Sequence, residues 1–118
     1  HALAHAVGGL YGVAHGQANA ILLPLVLEAY GDSAYRRLAE LADAAGIGSG
    51  GVAEKAADFI AAIRRMNDTM GIPRNISSLR EEDIPLLAGR AAKEGNPLYP
   101  VPRILDAEEL AEILRKAV

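Results

Sequence analysis

All three histidines of the chain lie within its first fifteen residues, at His1, His5 and His15. Imidazole is the side chain that most readily binds a transition metal or transfers a proton near neutral pH. The 118 residues include no cysteine, which excludes disulfides and thiolate metal ligands. The grouping therefore predicts a site built on imidazoles. Because it starts at the first residue, we expect it to be part of a larger site.

The spacing of the histidines allows two pairings. His1 and His5 are four residues apart, so on a helix their rings project from the same face and can hold one metal ion. His15 follows a glycine-rich stretch, residues 8–16, whose glycines let two backbones approach closely. A bend in this stretch would bring His15 back alongside His1. Spacing alone favours the pair of His1 and His5 and leaves the second pairing open.

Length, charge and hydropathy exclude several classes of protein. A chain of 118 residues fits one domain with an ordinary apolar core. Its net charge of −3 gives no electrostatic attraction for nucleic acid. The longest apolar run, Ala20 to Leu27, is too short to cross a bilayer, and no basic segment marks a signal peptide. We therefore expect a cytoplasmic protein with neither a nucleic-acid nor a membrane partner.

The composition predicts an all-α fold, because alanine is abundant, aromatic residues make up 4% of the chain and β-branched runs are scarce. Helices are predicted over residues 1–7, 16–30, 33–45, 52–70, 79–93 and 107–117.

Glycine and proline set several of the expected helix ends. Gly8 and Gly9, together with Gly12, are expected to break the first helix. Pro24 is expected to bend the second, because its missing N–H removes one backbone bond. Residues 95–102 contain three prolines and predict an extended linker.

Two capping-box patterns predict the starts of the last two helices. Ser78 with Glu81 precedes the fifth helix, in which Pro85 is expected to lie near the first turn. Asp106 with Glu109 precedes the sixth.

Apolar residues at helical spacing predict the faces that form the core. The methionines of the fourth helix are interpreted as core residues, not as metal ligands. The positions predicted to face inward are Leu38, Leu41, Ala42 and Ala45 in the third helix, Val52, Ala56, Phe59, Ile63, Met66 and Met70 in the fourth, and Leu110, Ile113 and Leu114 in the sixth.

The first histidine segment, HALAHAVGGLYGVAHGQANAILLP, resembles the signature of the iron-containing (group III, metal-dependent) alcohol dehydrogenase family. Three later segments, MGIPRNISSL, EEDIPLLAGRAAKE and NPLYPVPRILDAEELAEIL, are similar to the carboxyl-terminal helical domain of that family, in the same order. The resemblance covers essentially the whole chain. It implies a single all-α domain over residues 1–118, a helical bundle of the dehydroquinate synthase-like architecture, without the amino-terminal dinucleotide-binding domain.

The resemblance also implies roles for the histidines. His1 and His15 match the family's third and fourth ligands to a divalent metal, Fe²⁺ or Zn²⁺. The resemblance thus implies the pair of His1 and His15 instead of the pair favoured by spacing, His1 and His5. His5 matches a residue near the nicotinamide and the substrate that positions them or relays a proton; the alternative is a hydrogen-bonded histidine that only lines a cleft. Ala14 stands where the family usually has proline, and Leu25 where many relatives have histidine.

The implied activity is hydride transfer between NAD(P) and a small alcohol or aldehyde. The chain lacks both the glycine-rich dinucleotide loop and the Asp-x-x-x-His pattern that carries the family's first two ligands. Because metal sites need three or four protein ligands, we predict that the chain is inactive in isolation. Its expected partners are the missing amino-terminal domain, the substrate and further copies in a homo-oligomer.

Without the partner domain, an apolar cleft face is expected to be exposed and to favour self-association. This face consists of His1, Leu3, Val7, Leu10 and Ile21.

Two alternatives remain at this point. One is a non-catalytic helical interaction module whose histidines are surface or cap residues. The other is a related enzyme, either a glycerol dehydrogenase or a dehydroquinate-synthase-like lyase, although the ANAILLP and EEDIPLLA runs favour the alcohol dehydrogenases.

Overall fold

The computed structural model describes residues 1–96 and 98–118, and within them it contains α-helices, one 3₁₀ turn and no strand. The predicted all-α class is confirmed. Pro97, part of the predicted linker, lies outside the described residues. The helices are α1 (Ala2–Tyr11), α2 (His15–Tyr30), α3 (Asp32–Ala45), α4 (Val52–Thr69), α5 (Ile84–Gly95) and α6 (Ala107–Arg115).

Helix α1 continues through Gly8 and Gly9, so the predicted break at these glycines is wrong. Neither glycine has a positive φ angle, and the helix ends instead at Gly12, whose φ of 71° is left-handed. The absence of a side chain at Gly8 lets the turn after α1 pass close to the helix, since a Cβ there would lie 3.2 Å from the carbonyl oxygen of Val13. The chain therefore reverses tightly between α1 and α2.

Helix α2 is continuous across Pro24, which is buried. Proline cannot donate to the carbonyl four residues earlier, at Ala20. The Asn67 side chain of α4 supplies the missing donor, with its Nδ2 atom 2.8 Å from the Ala20 oxygen. This bond fixes α4 against the middle of α2.

The two capping-box predictions have opposite outcomes. Asp106 and Glu109 form the complete box at the start of α6, where the Asp106 carboxylate accepts from the Glu109 N–H at 2.8 Å. At the predicted fifth helix no such box forms, because a 3₁₀ turn at Glu81–Asp83 comes first and α5 begins at Ile84. The predicted start at residue 79 is therefore wrong.

The main core lies between α1, α2, α5 and α6. Its largest completely buried side chains are Val7, Ile84, Leu87, Ile113 and Leu114. A smaller cluster joins α3 to α4 through Ala34, Leu38, Ala56 and Ile60.

Several apolar faces differ from the prediction. Ile60 of α4 is buried, whereas Met66 of α4 and Met70, directly after its end, are 55% and 66% exposed and so are not core residues. Val52 is likewise exposed. Leu41 and Ala45 of α3 also face solvent, because α3 packs mainly against α4 and therefore buries only the face that α4 covers.

The predicted exposed apolar face near the histidines is also largely wrong. Leu3, Val7 and Ile21 belong to the main core, because α1 packs against both α2 and α5. Of that set, His1 and Leu10 are exposed.

None of the helices within the described residues has the length and apolar character needed to span a bilayer.

Candidate metal centre

The fold brings all three imidazoles to one place. His1 lies at the amino end of α1, His5 one turn further along it, and His15 at the first residue of α2. The tight reversal between the helices brings the His15 ring to 5.3 Å from that of His1 and 5.0 Å from that of His5, measured between ring centroids. His1 and His5 are 6.1 Å apart by the same measure.

The centroid distance between His1 and His15 is close to the value for two imidazoles on one metal ion. Imidazole nitrogens bind zinc at about 2 Å, so two rings on one ion have centroids roughly 5 Å apart. The two rings are inclined by 50°, so they are not stacked face to face. By contrast, His5 and His15 are stacked, with planes 21° apart.

Two imidazoles do not complete a coordination sphere. Within residues 1–96 and 98–118, no group of three or more metal-binding side chains is arranged so that it could hold an ion. Protein metal sites use three or four ligands. Additional ligands for an ion at His1 and His15 would have to come from outside these residues.

His5 has a carboxylate partner that the sequence analysis missed. Its Nδ1 atom lies 3.0 Å from each carboxylate oxygen of Glu94, in the last turn of α5. The two residues are 89 positions apart in the chain. No local pattern predicts this contact, which depends on the packing of α1 against α5.

His15 has a neighbour on its own helix. The Nδ2 atom of Asn19 lies 2.9 Å from His15 Nε2. Because an amide nitrogen only donates, Nε2 is the acceptor. The spacing of four residues on α2 is a signal that the sequence contains, in the HGQAN segment.

Tyr11 holds the end of α1 in place. Its hydroxyl donates to the Asp83 carboxylate at 2.5 Å and accepts from the Arg80 backbone N–H at 3.2 Å. Desolvation, followed by the bond to Asp83, raises the pKa of Tyr11. The hydroxyl thus fixes the glycine-rich end of α1 to the turn before α5.

Small residues leave open space beside the imidazoles. One cleft, of about 430 Å³, has His5 and His15 on its wall together with Gly8, Gly9 and Gly12. A second, of about 210 Å³, is lined by His5 together with Arg90 and Glu94. His5 therefore faces both clefts, and a flat ligand could approach the α1 backbone there.

The whole chain, residues 1–118, matches the model of the Fe-containing alcohol dehydrogenase family, C-terminal part. It is 38% identical to a 1,3-propanediol dehydrogenase of Citrobacter freundii over 121 residues, which cover 99% of the chain and 31% of that protein. It is 32% identical to an NAD-dependent methanol dehydrogenase of Bacillus methanolicus, covering 100% of the chain and 32% of that protein.

The fold is also similar to a solved structure. The crystal structure of a 1,3-propanediol oxidoreductase superimposes with a TM-score of 0.92 and 36% sequence identity, covering 100% of this chain and 32% of that one. The chain thus spans about a third of the length of the proteins that it matches.

Proposed function

Since the chain belongs to the iron-containing alcohol dehydrogenase family, as its carboxyl-terminal helical domain, we propose that it supplies one half of a metal-dependent dehydrogenase active site. The observation that carries the proposal is the convergence of His1, His5 and His15, which come from two different helices. The names of relatives, which include a 1,3-propanediol dehydrogenase, an NAD-dependent methanol dehydrogenase and a lactaldehyde reductase, support an alcohol or aldehyde substrate and a nicotinamide cofactor.

In this proposal His1 and His15 hold the metal. Neutral imidazole suits either Fe²⁺ or Zn²⁺. When bound, such an ion supplies Lewis acidity toward an alcohol or carbonyl oxygen. Imidazole binds a metal ion through the lone pair of its neutral form.

His5 acts on the substrate in the cleft that it lines together with His15. Its ring is stacked on that of His15, and it borders the open space beside Gly8 and Gly9. We assign it to orienting the nicotinamide or substrate and to moving the hydroxyl proton. A bound nicotinamide would supply the hydride chemistry, and the protein would provide its orientation toward the substrate.

The rest of the site is assigned to the part of the protein that corresponds to the remaining two thirds of its relatives. That part would bind the dinucleotide and provide the other metal ligands. The partner of this chain is therefore a dinucleotide-binding domain, and the open imidazole cleft is the face that it would cover.

The test measures metal retention in the whole protein that carries these residues. His1→Ala and His15→Ala are each expected to weaken metal affinity by at least tenfold, because each removes one of a small set of ligands. Arg36→Ala, an exposed change on α3, is the control and should retain the wild-type metal content. Unchanged metal content in both histidine variants would contradict the proposal and favour a non-catalytic interaction module.

The chain in isolation provides a second arm of the same test. With two metal ligands and no dinucleotide loop, it is expected to show no NAD(P)-linked turnover of a simple aldehyde. Measurable turnover by the purified chain would contradict the division of the site between two domains.

A further inference from the structure

Glu94 is placed to control the ring of His5. Both of its carboxylate oxygens lie 3.0 Å from His5 Nδ1, so the nitrogen faces the carboxylate as a whole. A carboxylate of this kind accepts hydrogen bonds, which requires a proton on Nδ1. A neutral imidazole carries only one N–H, so Nε2 is then the nitrogen with a free lone pair.

We propose that Glu94 is a positioning residue that fixes the ring orientation and the Nδ1–H tautomer of His5, so that Nε2 is the nitrogen available to a ligand in the cleft. The part that concerns catalysis rests on the proposed function of His5. The part that concerns the tautomer rests on the contact alone.

The helices that carry Glu94 and His5 are packed against each other. Glu94 lies in the last turn of α5, and α5 packs along α1, so both partners are on helices that belong to the main core. The backbone N–H of Tyr99 donates to the Gly95 carbonyl at 3.0 Å, next to this turn. Desolvation, the charge of Glu94 and a hydrogen bond to it raise the pKa of Tyr99.

A simple surface ion pair is the competing explanation. The side chains of His5 and Glu94 are 46% and 36% exposed, and exposed pairs contribute little to stability. Stability measurements therefore cannot separate the two explanations, whereas the tautomer of His5 can.

The experiment observes the histidine ring nitrogens by NMR in the whole protein, labelled with ¹⁵N-histidine and supplied with diamagnetic zinc. The pH is about 8, where an unperturbed imidazole is neutral. A His5→Gln variant identifies the His5 signals by their loss. In the wild type, the His5 signals are expected to show the proton on Nδ1.

Three variants complete the design. Glu94→Ala removes the acceptor and is expected to shift His5 toward the Nε2–H form. Glu94→Gln keeps an acceptor oxygen and should retain the Nδ1–H form. Glu40→Ala removes an exposed glutamate on α3, which pairs with Arg36 and Arg37, and should leave the spectrum unchanged. An Nε2–H tautomer in the wild type, or the same tautomer in wild type and Glu94→Ala, would overturn the proposal.

Steady-state kinetics separate this inference from the proposed function. If His5 moves a proton, Glu94→Ala should lower kcat by about tenfold or more, with little change in KM, and Glu94→Gln should restore part of the loss. A tautomer that depends on Glu94 in a protein without dehydrogenase activity would contradict the proposed function but leave the positioning role intact. Normal kcat in Glu94→Ala would contradict the catalytic part of the inference.

Discussion

Single residues differ in how far the sequence reveals their partners. The bond between Asn19 and His15 lies within one helical turn and can be deduced from spacing once α2 is recognised. The contact between His5 and Glu94 joins two helices and could not be deduced, because periodicity does not say which helices are neighbours. The Asn19 bond also has a chemical consequence. A metal at His15 Nε2 would require the Asn19 amide to move away, since one lone pair cannot serve both.

The hydroxyl of Tyr11 gives a prediction at this scale. Tyr11→Phe removes the bond to Asp83 and leaves the Arg80 N–H without its side-chain acceptor. We expect the free energy of unfolding to fall by about 1–2 kcal/mol, as measured by urea denaturation.

Tyr30→Phe is the matched control, because burial alone raises the pKa of Tyr30. It should change the free energy of unfolding by less than Tyr11→Phe does. Equal losses in the two variants would show that the hydroxyl of Tyr11 contributes nothing specific.

Helices show where local rules hold and where they fail. The same capping-box pattern occurs twice, and it forms only at Asp106 and Glu109. At the other position a helix starting at residue 79 would place Pro85 in its second turn. There its missing N–H would leave the Glu81 carbonyl without a partner. The helix begins at Ile84 instead, so that Pro85 lies in the first turn, where no N–H is needed.

Helix α2 gives a prediction of coupling between two elements. Asn67→Ala removes the donor to the Ala20 carbonyl, and a partly buried carbonyl without a partner costs about 1–3 kcal/mol. Pro24→Ala restores a backbone N–H that can reach the same oxygen. Asn67→Ala should therefore cost less in the Pro24→Ala background than in the wild type.

A double-mutant cycle in urea measures this coupling directly. The coupling energy is the difference between the two costs of Asn67→Ala. A value near zero would mean that Asn67 stabilises the protein by packing alone, without compensating for the proline.

At the scale of the whole molecule, α2 connects two apolar clusters. It packs on the main core along most of its length, from Ala18 to Tyr30, and Leu27 and Tyr30 near its carboxyl end also contact the small cluster between α3 and α4. The sequence predicted the fold class and most of the helices, both of which depend on local signals, and it singled out the three histidines as candidates for a site. It assigned α4 the wrong face at Met66 and Met70, because a helical stripe indicates amphipathicity but not which side has a partner.

An ion pair between α2 and α4 gives the final prediction. Glu28 pairs with Arg64, and the positive charge of Lys116 also lowers the pKa of Glu28. The hydrogen bond from Arg64 is the main cause that lowers the pKa of Glu28 below its ordinary value of 4.5, and burial opposes it. A lowered pKa in the folded state means that the pair stabilises the protein above pH 4.5 and ceases to do so as acid protonates the carboxylate.

Glu28→Gln should therefore lower the free energy of unfolding at neutral pH, by less than about 1 kcal/mol because the pair is partly exposed. The difference from wild type should disappear well below pH 4.5, where Glu28 is protonated and therefore as neutral as the glutamine that replaces it. Glu40→Gln, which removes an exposed carboxylate from α3, controls for the general effect of charge. A difference between Glu28→Gln and wild type that persists in acid would show that the carboxylate matters for its shape and not for its charge, and that α2 and α4 are held together without the ion pair.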